Sequence, residues 1–254
     1  MSDPISQTSE LEIVNSLSSD QIKVPTQPVD VYIQEAENLL KWCTPDKDTL
    51  LAKGLNSYYF DAMPFALSIC RNAQATWAAE QKIKSDAAKA WQEQAPAAFV
   101  HRNQLLADFR YAFRNDPDLL KSVALIAEGS SNADMIQDLA DLAALGDKNP
   151  TLLAAINFPN RSLGYAATLS TSLAVVLAEA NGDKNSENAT LILRNKAYSH
   201  LKTAVDEIKA CGKYAFRDDK SRLKGYKSAF WRKKYMNRTK AEKKGKTQQE
   251  LSKN

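Results

Sequence analysis

SENATLILRNKAYSHLKTAVDEIKACGKYAF, residues 186–216, decides the fold. Leu191, Tyr198, Leu201, Val205, Ile208 and Ala215 recur at intervals of three and four or their sums, so a helix puts them on one face. A face this apolar has to be buried against neighbouring helices. Phe99, Leu106, Phe109 and Phe113 repeat the pattern over 97–115. The chain has 254 residues and only eight glycines, which leaves few of the tight turns that a β-rich fold requires. The expectation is an all-α protein built on an antiparallel four-helix bundle with short linking helices.

Punctuation along the chain supports this. Thr44-Pro45, Asp116-Pro117 and Asn149-Pro150 each place a capping side chain before a proline suited to the first helical position. Ser131 and Asp134 have the spacing of a capping box. Gly129, Gly146 and Gly182 read as helix stops. The predicted helices run over about 31–43, 46–94, 97–115, 117–128, 132–145, 150–157, 160–181 and 186–216, with a kink or break near Ala62 caused by Pro64.

The quoted segment also ends in a repeated element. Tyr214-Ala215-Phe216-Arg217 matches Tyr111-Ala112-Phe113-Arg114, and at the same offset Asp219 matches Asp116, Leu223 matches Leu120 and Lys224 matches Lys121. Two related helical hairpins would explain the match. The expected roles are Tyr and Phe plugging the bundle end, Arg facing the negative helix terminus and Asp capping the next helix. A functional alternative makes the two arginines a paired anion site.

Residues 1–29, with six serines and three prolines, are expected to form a flexible arm in which Leu11, Ile13, Val14 and Leu17 dock only transiently. The helical domain is expected over 30–216, and a basic tail over 217–254, helical at first and disordered after Met236. The start of the sequence lacks the basic and apolar regions of a signal peptide. Ser162–Ala178 is the longest uncharged run but is diluted by serine, threonine and glycine, so it reads as a buried bundle helix. Cys43, Cys70 and Cys211, odd in number and widely spaced, read as reduced thiols of a cytoplasmic protein.

Charge is unevenly divided. Residues 213–246 carry fourteen Lys/Arg against Asp218, Asp219 and Glu242, a net of +11, within a chain of net +4. Residues 1–212 are therefore acidic, at −7. Such a split points to an anionic partner or to a tail folded on its own body. In the tail, Tyr226, Phe230, Trp231 and Tyr235 are candidate stacking or docking aromatics. Lys224, Lys227, Arg232, Lys233, Lys234 and Arg238 are candidate anion-binding residues. Cations neutralise phosphates while rings stack on unpaired bases. The structural alternative has the aromatics packed on the bundle as helical pairs, Tyr226 with Phe230 and Trp231 with Tyr235.

Little in the chain points to catalysis. The two histidines, His101 and His200, lack a glutamate three residues upstream, so the Glu-x-x-His pattern of di-iron bundles is missing. No phosphate-binding glycine loop or nucleophile elbow occurs. Asp138/Asp141 and Asp206/Glu207 read as solvated faces. No cofactor or metal is implied. The expected role is a non-catalytic interaction or scaffold protein that meets a protein partner or associates with itself. The alternative is a nucleic-acid-binding protein using residues 213–246, and an enzyme or metal-binding bundle comes third. An anionic membrane surface is the least favoured partner for the tail.

Overall fold

The computed structural model describes residues 5–159, 161–182 and 184–239, with backbone alone over 184–187. Helices account for the architecture, and no strand occurs among the described residues. They are α1 (Gln7–Ser16), α2 (Val29–Cys43), α3 (Lys47–Ala52), α4 (Ser57–Ala112), α5 (Pro117–Ile126), α6 (Asn132–Lys148), α7 (Pro150–Ala154), α8 (Arg161–Asn181), α9 (Lys184–Ala215), α10 (Lys220–Leu223) and α11 (229–239). The tail beyond residue 239, including most of the segment expected to be disordered, lies outside the described residues.

The chain divides into two compact units rather than one body over 30–216. Ala79–Lys184 forms one, and the flanking chain, up to Ala78 and from Asn185 onward, forms the other. In the flanking unit, Tyr32, Ile33 and Leu39 of α2, Leu50 of α3 and Met63, Leu67 and Cys70 of α4 bury against Tyr198, Leu201, Val205 and Ile208 of α9. The stripe in α9 is thus core, as its spacing requires. In the inner unit, Leu105, Phe109 and Phe113 of α4 pack with Leu139 and Leu142 of α6, Leu153 of α7 and Leu163 and Leu173 of α8.

Several local expectations are met at the level of single hydrogen bonds. Asp116 accepts from the backbone N–H groups of Asp118 and Leu119 and so caps α5. Ser131 and Asp134 form a reciprocal capping box on α6. Gly129 and Gly182 adopt φ of 93° and 63°, the left-handed region that glycine tolerates.

Others are corrected. The N-terminal segment is not a bare arm: α1 is closed by a capping box of Ser6 and Ser9, and both Val14 and Glu10 are buried. The apolar residues there are few, but Val14 joins the core and polar contacts of Glu10 and Asn15, the first described below, hold the helix. Pro64 and Pro96 leave α4 unbroken. Both prolines are exposed, while Met63, Leu67, Ala95 and Ala98 beside them are buried, so packing outweighs one lost helix hydrogen bond at each proline. The break instead falls at Gly54, φ 96°, between α3 and α4, where Leu55 N–H returns to the Leu50 carbonyl. Thr44 and Asn149 do not cap: each donates its side chain back to a carbonyl four residues earlier, Leu40 and Leu145. Gly146 stops nothing and lies inside α6, where Leu163 and Phe109 crowd its Cα.

α8 is buried along one stripe only. Leu163, Ala166, Ser170 and Leu173 face α6, and the Ser170 hydroxyl donates to the Ile136 carbonyl. Leu169 and Leu177 beside that stripe are half-buried, and Tyr165 and Val175 are exposed. Among the described residues α8 alone is long and apolar enough to cross a membrane by length and composition.

The repeated element has the same local structure twice. Arg114 lies over the Tyr111 ring at 4.4 Å and donates to the Tyr111 carbonyl; Arg217 lies over Tyr214 at 5.3 Å and donates to the Tyr214 carbonyl. Asp219 caps α10 as Asp116 caps α5. Both tyrosines are exposed, so only Phe113, and in part Phe216, plugs a core. Each guanidinium serves its own motif.

Candidate anion-binding site

The sequence brings the basic segment back onto α2. With α10 capped by Asp219, the Lys224–Tyr226 turn delivers Tyr226 into the core, where its ring stacks on Phe216 and its hydroxyl donates to Asp46 at 2.6 Å. Burial, then the Asp46 hydrogen bond, pushes the Tyr226 phenol well above its ordinary range. Arg222 forms an ion pair with Asp46, donates to the Trp42 carbonyl and lies 4.5 Å over the Trp42 ring. The Trp42 indole N–H donates to the Arg222 carbonyl. Gly212 and Gly225 leave the space that the Tyr226 and Trp42 rings occupy.

Glu35 of α2 then receives α11. Its carboxylate accepts from the Ser228 hydroxyl at 2.8 Å and from the Phe230 backbone N–H at 2.5 Å. Ser228 itself accepts from Trp231 N–H. A carboxylate at the positive end of a helix is favourably placed.

This docking creates a cavity of about 260 Å³ lined by Lys209, Lys224, Lys227, Arg232, Trp42 and Glu35. Among the described residues none of these four cations forms an ion pair. Lys209 is half-buried. Desolvation holds its ammonium below the usual lysine range, with Glu35 and Asp206 opposing in part. An adjoining concavity of about 660 Å³ is lined by Phe230, Lys233, Lys234, Val31, Gln34 and Asn237.

On the outer side of α11, Trp231 is 43% exposed and Tyr235 68% exposed. Lys234 Nζ stands 4.9 Å from the Trp231 centroid, and the Arg238 guanidinium 5.4 Å from that of Tyr235. Each ring is therefore paired with a cation while part of it remains exposed.

The predicted residues separate accordingly. Lys224, Lys227 and Arg232 meet at the smaller cavity, Lys233 and Lys234 line the larger one, and Arg238 belongs to the outer face with Trp231 and Tyr235. Tyr226 is core, and Phe230 sits in another element, so they do not form the helical pair expected from their spacing. Lys209, Trp42 and Glu35 were not expected. A lysine bordering the buried stripe of α9 was the available signal for the first; the other two depend on where the tail folds.

A second polar cluster lies in the same unit. His200 Nε2 stands 2.5 Å from Glu10 Oε2, and the Tyr58 hydroxyl donates to the same oxygen at 3.2 Å. Burial and Glu10 push the Tyr58 phenol up to about 12. Cys43 and Cys70 are free thiols pushed up to about 12 by burial, which suits packing and not nucleophilic attack. Among the described residues no group of three or more His, Cys, Asp or Glu is placed to hold a metal. No protein-family model matches the chain, and no curated protein or solved structure is significantly similar to it.

Proposed function

We propose that the chain is a non-catalytic, cytoplasmic binding protein that engages a polyanion, single-stranded nucleic acid, through its C-terminal segment. One observation carries the reading: Trp231 and Tyr235, one turn apart on α11, stand outward with Lys234 and Arg238 over their rings. Partly exposed rings can stack on unpaired bases of any identity, and adjacent cations neutralise the phosphates between them. The unpaired cations of the neighbouring cavity extend the positive surface.

The test is binding of a labelled single-stranded oligonucleotide across a salt series. Affinity should fall with a log–log slope of about 0.7 per phosphate contacted. Trp231→Ala should weaken binding by roughly 1–3 kcal/mol with the unfolding temperature unchanged. Salt-insensitive binding, or loss of stability in this variant, would reject the reading.

A second reading, a helical scaffold for a protein partner or for self-association, draws on the uncharged outer surface of α8 around Tyr165 and Val175. The antiparallel four-helix bundle expected from the sequence belongs to this proposal, as its rigid frame. A protein that sediments as a monomer and whose Tyr165→Lys, Val175→Lys variant behaves like wild type would count against it.

A further inference from the structure

We propose that the cavity formed by Lys209, Lys224, Lys227, Arg232 and Trp42 is a binding pocket for a phosphate group. The inference deepens the polyanion reading but stands on different residues from the exposed rings of α11.

The pocket gathers four cations from separate places: α9 supplies Lys209, the turn after α10 supplies Lys224 and Lys227, and α11 supplies Arg232. Lys224, Lys227 and Arg232 are exposed and Lys209 is half-buried, and all four border one open cavity of about 260 Å³, which has room for a tetrahedral oxyanion. The one carboxylate of the wall, Glu35, has its two oxygens engaged by Ser228 and Phe230 N–H. It steers α11 and pairs with none of the four cations. The Trp42 N–H is likewise committed, to the Arg222 carbonyl, so its ring is an apolar wall. Among the described residues such a site has an excess of positive charge, and its four cations have no ion-pair partner. A compact dianion with several oxygens satisfies it better than a carboxylate, because ammonium and guanidinium groups can each take an oxygen. The half-buried Lys209, whose ammonium is disfavoured by burial and only partly supported by Glu35 and Asp206, would gain a further negative partner in the complex.

Two sources carry this group, a free phosphate and the terminal phosphate of a nucleic acid. Titration calorimetry of the full chain with inorganic phosphate, against chloride at equal ionic strength, tests the pocket. Phosphate should bind and chloride should not. Lys209→Met and Arg232→Gln should each weaken phosphate by about tenfold or more, while Trp231→Ala should leave it unchanged. Oligonucleotides with 5′-phosphate and 5′-hydroxyl ends separate the sources. Preference for the phosphorylated end, lost in Lys209→Met, assigns the terminal phosphate; equal affinity for both ends assigns the free ion. Phosphate binding without oligonucleotide binding would sink the polyanion reading and leave the pocket standing. Phosphate binding no tighter than chloride, or unaffected by both pocket variants in a folded protein, would overturn the pocket.

Discussion

Glu10 of α1 and His200 of α9 meet at 2.5 Å, with the Glu10 side chain almost fully buried. A buried carboxylate held by an imidazole and the Tyr58 hydroxyl anchors a helix that has little apolar surface of its own. Glu10→Ala leaves the half-buried His200 and Tyr58 without their shared acceptor and should destabilise the protein by about 1–3 kcal/mol. Limited proteolysis checks the location: residues 7–16 should be protected in wild type and cut first in the variant. Early cleavage of that segment in wild type would show that the contact does not hold it.

Lys209 is placed against its own stability. Its folded pKa lies below the unfolded value because burial disfavours the ammonium. For a lysine shifted down, the unfolded chain binds more protons, so the penalty is present at neutral pH and is relieved as pH rises from the folded value towards the unfolded one near 10.4. Lys209→Met should therefore raise the unfolding temperature at pH 7. The gain should shrink in alkaline buffer. A lowered unfolding temperature would mean that the ammonium has a stabilising partner.

Two glycines inside helices should respond with opposite sign. Gly164 of α8 has open space where a Cβ would stand, so Gly164→Ala should stabilise by roughly 0.5–1 kcal/mol. Gly146 of α6 is crowded by Leu163 and Phe109, and Gly146→Ala should cost about 1–3 kcal/mol. Chemical denaturation of the two variants measures both. Equal effects would show that the contact of α6 with α8 is looser than described.

Asp134 titrates below its ordinary value because the Ser131 backbone N–H, then the Ser131 hydroxyl, hydrogen-bond its carboxylate. A depressed carboxyl contributes stability that is complete above the unfolded value of 3.8 and is lost as pH falls through the folded one. Carboxyl carbon chemical shifts followed from about pH 5 to pH 2 should place the Asp134 midpoint below that of an exposed aspartate. Ser131→Ala should move it upward. An Asp134 midpoint that ignores Ser131 would dismiss the capping box.

The features legible in the sequence were those governed by neighbours along the chain. The α9 stripe, the caps at Asp116 and Ser131 and the glycine stop at Gly129 depend on spacings of a few residues. The break at Gly54 was written in the same language, Gly-Leu-Asn after Leu50, but the prolines drew the boundary elsewhere. Proline in α4 was over-read because its effect depends on what the flanking residues bury, which only the tertiary structure decides. The basic residues of the tail were visible as charge, and their sorting into cavity and outer face was not. That sorting depends on Glu35, Trp42 and Asp46, which contact the tail across more than half the chain. Glu10 was invisible for the same reason: its value lies in His200, at the far end of the sequence.

The division of the chain into an inner unit of continuous sequence and an outer one made from both flanks sets an order of birth. A ribosome adds about 5–20 residues each second. Everything that the core of Leu105, Leu139 and Leu173 needs has been synthesised before α9 exists. Tyr32, Leu39 and Met63, made first, wait through all of that time for Leu201, Ile208 and Tyr226. The middle of the chain can mature first and its beginning last, so the nascent N-terminal helices are the part that a chaperone would have to shelter.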